Sequence, residues 1–201
     1  MGKSAKNKTR VTKRSLRKII AKMKVVFLDR DGTLIQFHGE PTQAEHIRVL
    51  KSAAPAVKIL NDLGYLTIVV TNQPIIEKGI ITRKQGDALN GLLVSRLKKS
   101  GARIDAAYLC PHKYPSTCKC RKPGIGMIKA AQKKFKIDLK KSFIVGDSTR
   151  DVMTGLNAKL KTILVKTGEG GKDRKFFDVD ADYTVKDVLG AAKLIQKLEE
   201  K

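Results

Sequence analysis

The feature that most constrains the fold is an alternation between short apolar runs and longer segments with helical spacing. Five such runs, most of them rich in β-branched residues, lie at 25–28, 66–70, 106–109, 142–145 and 162–165. Runs of this length predict buried strands, and the intervening segments are long enough for crossover helices. The pattern predicts an α/β fold with a doubly wound, mostly parallel sheet that helices cover on both faces.

Five helices are expected between these strands and at the end of the chain. Thr82 and Gln85 form a capping-box pattern, and Gly64 stands where the first helix is expected to end. The predicted helices span 53–63, 82–99, 127–135, 150–158 and 188–198, and residues 182–185 are expected to add an edge strand. Because ligands bind at the carboxyl ends of the strands in such sheets, the residues after each strand are candidates for a functional site.

The charge of the chain is unevenly distributed. The 201 residues include 42 Lys and Arg against 19 Asp and Glu, which gives a formal net charge of +23. Residues 1–24 contain ten basic residues and no acidic residue, so we expect a basic tail there and a folded domain over residues 25–201. The spacing of Leu16, Ile19, Ile20 and Met23 allows a short amphipathic helix in the second half of the tail.

Three interpretations of the tail remain open. It can be a solvated segment in loose contact with polyanions, a specific contact with nucleic acid or an anionic membrane, or a targeting peptide. No apolar run approaches the roughly 18 residues of a transmembrane helix, and the charged start is not followed by the apolar region of a signal peptide. We expect a cytoplasmic protein and a monomer.

Acidic residues follow two of the predicted strands. Asp29 and Asp31 come after the first strand, and Asp147 comes after the fourth, with Asp151 one turn into the next helix. Carboxylates this close together must bind a cation or share a proton, and oxygen ligands of this kind suit Mg²⁺. Asp29, Asp31 and Asp147 therefore predict a magnesium site. For Asp151, a helix-capping role is equally open.

A second candidate metal site lies within eleven residues. It consists of Cys110, His112, Cys118 and Cys120. Four ligands of these types match tetrahedral Zn²⁺ in a structural site, because no coordination position is left open. The alternative is a set of unliganded thiols. The next residues, Arg121 and Lys122, would direct two cations toward the strand ends, where a phosphate group would need them.

Four short motifs resemble, in order, those of the haloacid dehalogenase (HAD) superfamily. They are Asp29-Arg30-Asp31-Gly32-Thr33, Thr71-Asn72-Gln73, Arg121-Lys122-Pro123 and Gly146-Asp147-Ser148. The Cys/His loop before the third motif resembles the capless, zinc-containing branch, which includes heptose bisphosphate and histidinol-phosphate phosphatases. The resemblance covers roughly residues 24–190 and implies a HAD-like Rossmannoid fold without a large cap domain.

The resemblance also implies a magnesium-dependent phosphomonoesterase that works through an aspartyl-phosphate. Asp29 would attack phosphorus, and Asp31 would act first as general acid and then as general base. The carboxylates of Asp29 and Asp147 and the backbone carbonyl of Asp31 would hold Mg²⁺. The groups that bind the phosphoryl oxygens would be Thr71, the Asn72 backbone and Lys122, and Arg121 would contact substrate.

The residues that follow the second motif indicate the class of substrate. Ile76 and Gly79 match the heptose enzymes there, whereas Lys78 replaces an arginine and Pro74 and Ser148 depart from the usual residues. This favours a sugar phosphate such as D-glycero-D-manno-heptose 1,7-bisphosphate. Histidinol phosphate or a nucleic-acid 3′-phosphate on the same scaffold is the alternative, followed by a nucleic-acid-binding protein without catalysis.

Overall fold

A computed structural model describes residues 22–37 and 39–200 of the chain. The expected tail and its amphipathic helix therefore lie almost entirely outside the described residues. The strands are β1 (Val25–Leu28), β2 (Leu66–Asn72), β3 (Ala106–Cys110), β4 (Phe143–Gly146), β5 (Lys161–Val165) and β6 (Tyr183–Val185). The helices are α1 (Ala53–Asp62), α2 (Arg83–Lys99), α3 (Gly126–Lys134), α4 (Thr149–Ala158) and α5 (Val188–Glu199).

The six strands form one sheet in the order β3-β2-β1-β4-β5-β6, and all neighbouring pairs are parallel. The chain leaves β1 toward β2 and β3, and then crosses to the other side of β1 to form β4. The prediction of a doubly wound parallel sheet is confirmed. The reversal of direction lies between β1 and β4, and sheets of this type bind ligands at such a point.

The side chains of β1 explain why both faces of the sheet are covered. Val26 and Leu28 belong to one apolar cluster, which includes buried residues of α1, α2 and α5. Val25 and Phe27 belong to a second cluster on the opposite face, with buried residues of α3 and the end of α4. All four side chains have no exposed surface, as expected for a central strand between two helical layers.

Local signals in the sequence place the helix ends well. At the start of α2, the Gln85 backbone N–H donates to the Thr82 hydroxyl, and the Gln85 side chain accepts from the Thr82 backbone N–H. Gly64 has a φ of +79° just beyond α1, a conformation that favours glycine. The main difference from the predicted elements is that β2 continues through Thr71 and Asn72.

Because all six strands are parallel, they all begin on one side of the sheet and all end on the opposite side. We call the edge where the strands end the carboxyl edge and the edge where they begin the amino edge.

Two 3₁₀ helices, Ala44–His46 and Leu139–Lys141, complete the regular structure of the described residues. None of the described helices has the length and apolar character that would let it span a bilayer.

Candidate active site

The residues that follow β1, β2 and β4 meet at the carboxyl edge. The three strands are in close register, since Leu28 pairs with Val69 on one side and with Val145 on the other. A cavity of about 200 Å³ opens at this point. Its lining includes all the candidate catalytic, substrate-binding and magnesium-binding residues, namely Asp29, Asp31, Thr71, Asn72, Arg121, Lys122 and Asp147.

Three buried carboxylates cluster in this cavity, and the third is Asp151 rather than Asp31. Ligand oxygens of Asp29, Asp147 and Asp151 lie within 4.8 Å of one another. Asp151 belongs to the first turn of α4, where its carboxylate accepts hydrogen bonds from the backbone N–H and hydroxyl of Ser148. Both roles considered for Asp151, helix cap and site residue, are therefore present.

Lys122 supplies positive charge to this acidic cluster. Its Nζ lies 2.5 Å from Asp29 Oδ1 and 2.5 Å from Asp151 Oδ1, and its side chain is only 5% exposed. The side chain of Asn72 fixes the lysine backbone, because its Oδ1 accepts from the Lys122 N–H at 3.0 Å and its Nδ2 donates to the Lys122 carbonyl. The end of β2 thus positions a cation that comes from the loop after the Cys/His cluster.

The Asp31 carboxylate is held separately from the acidic cluster, although its charge helps to raise the pKa of Asp29. The fully buried Arg30 donates from Nε to Asp31 Oδ1 and from a terminal nitrogen to Oδ2, both at 3.0 Å. Gln73 Nε2 also donates to Oδ2, at 2.7 Å, and Asn90 accepts from the other terminal nitrogen of Arg30. Asp31 therefore has one fixed orientation, and its carboxylate is not part of the acidic cluster.

Two glycines make room for the Asp147 carboxylate. Gly32 and Gly168 have φ values of +80° and +59°, and a Cβ at either position would lie 2.2 Å or less from Asp147 Oδ2. The backbone N–H of Glu169 donates to that same oxygen at 2.7 Å. The loop after β5 therefore closes directly over Asp147, and any side chain at these two positions would displace it.

Burial changes the protonation of the clustered aspartates. Burial raises the pKa of Asp29 to about 7, against the lowering effect of Lys122 and together with the neighbouring carboxylates. Burial and the charges of Asp29 and Asp151 raise the pKa of Asp147 to about 8. Burial alone would lower the pKa of Lys122, but the carboxylates of Asp151 and Asp29 raise it above its usual range. The acidic cluster has more negative charge than one ammonium group neutralises.

The cluster has free oxygens that fit a divalent cation. Among the described residues, no group donates a hydrogen bond to Asp29 Oδ2 or to Asp147 Oδ1, and both residues line the cavity. Carboxylate oxygens from neighbouring strands, with one ammonium group opposite, form a hard-oxygen site of the kind that Mg²⁺ occupies. A cation there would also offset the repulsion that keeps protons on these groups.

Two guanidinium groups stand at the rim of the cavity. Arg121 donates to the His112 carbonyl at 2.8 Å, so the Cys/His loop holds it. Arg150 lies over the ring of Phe176, 5.9 Å from its centroid, and 3.7 Å from Asp173. Burial and the nearby Arg150 lower the pKa of Arg121, although acidic groups partly offset this. Both cations line the cavity, so they provide positive charge for an anionic group of a ligand.

The four residues of the Cys/His cluster come together as the sequence predicts. Ligand atoms of Cys110, His112, Cys118 and Cys120 lie within 4.8 Å of one another. The sulfur–sulfur distances are 3.1, 3.6 and 3.7 Å, and His112 Nδ1 lies 3.3 and 3.5 Å from two of the sulfurs. A tetrahedral zinc site with Zn–S bonds of about 2.3 Å would separate its sulfurs by about 3.7 Å. The donor set and two of the three distances fit zinc, and the Cys110–Cys120 pair is closer than such a site would hold it.

Several residues that hold Asp31 or line the cavity are absent from the candidates drawn from the sequence. Arg30 and Gln73 belong to the first and second motifs, but nothing in the sequence indicates that they contact Asp31. Arg150 and Glu169 also line the cavity, and no motif or spacing indicates either. Their positions depend on how α4 and the loop after β5 pack, which only the fold determines.

Comparisons with known proteins agree with this geometry. A family model described as HAD-hydrolase-like matches residues 119–191. The D-glycero-beta-D-manno-heptose-1,7-bisphosphate 7-phosphatase of Pasteurella multocida is 36% identical over 187 residues, which cover 88% of this chain and 98% of that protein. The D-glycero-alpha-D-manno-heptose-1,7-bisphosphate 7-phosphatase of Photorhabdus laumondii is 38% identical over 156 residues, which cover 73% and 85%.

A solved structure extends the comparison to three dimensions. The D,D-heptose 1,7-bisphosphate phosphatase from B. bronchiseptica, complexed with magnesium and phosphate, superposes with a TM-score of 0.80 at 28% sequence identity. The alignment covers 89% of this chain and 100% of that chain. The similarity therefore extends over the sheet, the helices and the loops that form the cavity.

The raised aspartate pKa values predict how stability depends on pH. In magnesium-free buffer the folded state binds more protons than the unfolded state, whose aspartates titrate near pH 4. The contribution of these two groups to stability is therefore fully present below about pH 4 and is lost as the pH rises from there through about 7 and 8, the pKa values of Asp29 and Asp147. We expect the free energy of unfolding, measured with urea, to fall by up to about 7 kcal/mol between about pH 5 and pH 9 because of these two groups.

Asp147→Asn should remove much of this pH dependence, whereas Asp87→Asn, at an exposed helix position, should leave it unchanged. Added Mg²⁺ should stabilise the wild-type protein more at high pH than at low pH, because binding competes with protons. Equal pH profiles for wild type and Asp147→Asn would contradict the assignment of the raised pKa values to the acidic cluster.

Proposed function

The chain belongs to the haloacid dehalogenase-like phosphatases, and on that basis we propose that it removes a phosphate group from D-glycero-D-manno-heptose 1,7-bisphosphate. It is a phosphoric monoester hydrolase, as its named relatives are. The observation that supports the substrate best is the identity of 36% to a heptose bisphosphate 7-phosphatase over 98% of that protein. The compartment and the oligomeric state stay predictions.

The geometry supports Asp29 as the nucleophile. It lies at the end of the central strand, between the Lys122 ammonium group and the carboxylate of Asp147. Attack by a carboxylate oxygen on phosphorus forms an aspartyl-phosphate and releases the sugar hydroxyl, and hydrolysis then frees inorganic phosphate. Lys122 stays within reach of the phosphoryl oxygens, because Asn72 fixes its backbone.

Asp31 supports the proton transfers of both half-reactions. Arg30 and Gln73 hold its carboxylate at the cavity. Asp31 would give its proton to the leaving sugar oxygen and then accept a proton from the water that attacks the aspartyl-phosphate. Thr71, whose hydroxyl lies 3.4 Å from Asp31, and the backbone of Asn72 would bind the oxygens of the transferring group.

We propose that Mg²⁺ is the catalytic metal. Asp29 and Asp147 would hold it through their free oxygens, together with the backbone carbonyl of Asp31. When bound, Mg²⁺ neutralises the charge that would otherwise repel a phosphate group from three carboxylates. The relative that was crystallised with magnesium and phosphate supports this assignment.

A bisphosphate fits the charge distribution around the cavity. One phosphate group would bind beside Lys122 at the acidic cluster, and the second would need cations of its own. Arg121 and Arg150 both line the cavity outside the acidic cluster, and paired guanidinium groups bind phosphate oxygens in bidentate fashion. We propose that they bind the phosphate that is retained in the product.

We propose that Zn²⁺ binds the Cys/His cluster as a structural ion. Three cysteines and one histidine fill a tetrahedral site, and the cluster directly precedes Arg121 and Lys122 in the chain. Arg121 is attached to this loop by its hydrogen bond to the His112 carbonyl. The proposed zinc would therefore hold in place the segment that brings both cations to the cavity.

A direct assay tests the function and the nucleophile together. Purified protein with Mg²⁺ should release inorganic phosphate from D-glycero-D-manno-heptose 1,7-bisphosphate, in either anomeric form, faster than from histidinol phosphate or a DNA 3′-phosphate. Asp29→Asn should lower kcat by at least about a thousandfold with an unchanged circular-dichroism spectrum. Asp87→Asn is the matched surface control and should retain full activity.

Magnesium-dependent turnover that survives in Asp29→Asn would disprove the nucleophile assignment. A clear preference for histidinol phosphate or for DNA ends would overturn the proposed substrate while leaving the phosphatase activity intact.

A second variant tests the role of the arginine pair in substrate binding. Arg150→Gln should raise the KM for the bisphosphate by about tenfold or more, the cost of a lost charged hydrogen bond, with little change in kcat. Its effect on a sugar monophosphate should be much smaller, and Arg150→Lys should restore part of the affinity. Arg174→Gln is the control, because Arg174 is exposed and pairs with Asp178 and Asp180 away from the cavity. Equal effects on both substrates would contradict the proposed role of Arg150.

The zinc proposal is tested by metal analysis. Elemental analysis of the purified protein by mass spectrometry should find about one zinc ion per chain. Cys118→Ser should lose most of it and should unfold at a lower temperature, because metal binding stabilises the folded loop. Tyr114→Ala, at an exposed position of the same loop, should keep both the zinc and the wild-type Tm. Full zinc retention in Cys118→Ser would show that Cys118 is not a zinc ligand.

A further inference from the structure

The residue between the nucleophile and the acid–base residue is a buried arginine. Arg30 has no exposed surface and is the largest fully buried side chain among the described residues. A guanidinium group in such a place is strongly unfavourable unless its donors find partners. Within the described part of the chain, Asp31 is the one acidic residue with which Arg30 forms an ion pair.

All three nitrogens of the Arg30 guanidinium group donate a hydrogen bond. Nε and Nη2 donate to the two carboxylate oxygens of Asp31, each at 3.0 Å. The third nitrogen, Nη1, donates to Asn90 Oδ1 at 2.8 Å. Because the guanidinium group is planar and rigid, the contact with Asn90 also fixes the direction of the edge that binds Asp31.

Asn90 is the one polar residue on the buried face of α2. The other buried residues of that helix are Gly86, Leu89, Leu93 and Leu97, and the three leucines belong to the apolar cluster on that side of the sheet. Asn90 is only 5% exposed, and it does not line the active-site cavity. A polar side chain among leucines is unfavourable without a hydrogen bond, and the bond to Arg30 accounts for its position.

The two oxygens of the Asp31 carboxylate are not equivalent. Oδ2 accepts from Arg30 and from Gln73, and the Thr71 hydroxyl lies 3.4 Å away from it. Among the described residues, only Arg30 donates to Oδ1. A carboxylate has about four acceptor positions, two on each oxygen. Oδ1 therefore keeps one position for a proton or for a group of the substrate.

We propose that Arg30 and Asn90 are positioning residues for the proton transfers of Asp31, an inference that rests on the acid–base role proposed above. Asn90 fixes the guanidinium group, which in turn orients the carboxylate so that Oδ1 carries the proton. That proton passes to the leaving oxygen as its bond to phosphorus breaks and Asp29 bonds to phosphorus. The attacking water returns a proton to Oδ1 as its oxygen bonds to phosphorus and the aspartyl bond breaks.

Stability alone does not explain this arrangement. A buried ion pair can often be replaced by well-packed apolar residues without loss of stability. The orientation of a catalytic group is more demanding, because a displacement of about 1 Å can lower a rate by about a hundredfold. The chain from α2 through Arg30 to Asp31 supplies such an orientation from the rigid core of the protein.

A double-mutant cycle tests the proposal in the phosphatase assay. Asn90→Leu removes the contact with Arg30 and should lower kcat by at least about tenfold, with a KM within about twofold of the wild type. Asp31→Asn alone should lower kcat by about a hundredfold or more. In the Asp31→Asn background, Asn90→Leu should change kcat by less than about twofold, because the group that it orients is already absent.

A second variant separates orientation from charge. Arg30→Lys keeps a positive charge beside Asp31, but an ammonium group cannot bind both carboxylate oxygens as a planar fork does. It should therefore show the same loss of kcat as Asn90→Leu, and the same lack of effect in the Asp31→Asn background. Full activity in Arg30→Lys would show that charge alone is enough and would overturn the proposal.

The matched control removes a methylene group from the same helix face. Leu93→Val should lower the free energy of unfolding, measured with urea, while kcat stays at the wild-type value. Should Asn90→Leu fail to fold, Asn90→Ala leaves room for a water molecule beside Arg30 and enters the same cycle. Equal losses of kcat in the wild-type and Asp31→Asn backgrounds, or no loss in either, would overturn the positioning role.

The outcome is separable from that of the proposed function. The cycle uses the phosphate ester that the wild-type protein hydrolyses fastest, so the failure of the heptose substrate leaves it valid. Full activity in Asp31→Asn would instead disprove the acid–base role of Asp31, and the positioning role would fall with it.

Discussion

The neutralisation of buried negative charge is the constraint on which the site depends. Asp29, Asp147 and Asp151 are clustered with little exposed surface, and isolated buried carboxylates are strongly unfavourable. Lys122 compensates two of them directly, and the remaining excess is held as protons or offset by a cation. Lys122 can do this only because β2 fixes its backbone through Asn72. The strands, the loop before Lys122 and α4 must therefore all be in place together.

Much of this arrangement is readable in the sequence because it depends on local order along the chain. Apolar runs predict the strands, and the parallel sheet then brings Asp29 and Asp147 to neighbouring positions. The four Cys/His residues also lie close together in the sequence, so their cluster required no knowledge of the fold. The capping box of Thr82 and Gln85 is another such local signal.

Other parts could not be read, because they depend on side-chain directions and on long-range packing. The sequence places Asp31 among the acidic residues of the metal site, yet its carboxylate is bound by Arg30 and Gln73 and is not part of the cluster. Asp151 takes its place because α4 begins directly after β4 and directs its first turn into the cavity. Arg150 and Glu169 reach the cavity only through this packing, and neither belongs to a motif.

Lys24 has a geometric consequence for the whole molecule. It lies at the beginning of the strand whose far end carries Asp29, and five residues of extended chain span about 17 Å. The starts of the strands and the active-site cavity therefore lie at opposite ends of the sheet. A support attached where the strands begin would leave the cavity open to the solution, where small substrates arrive by diffusion.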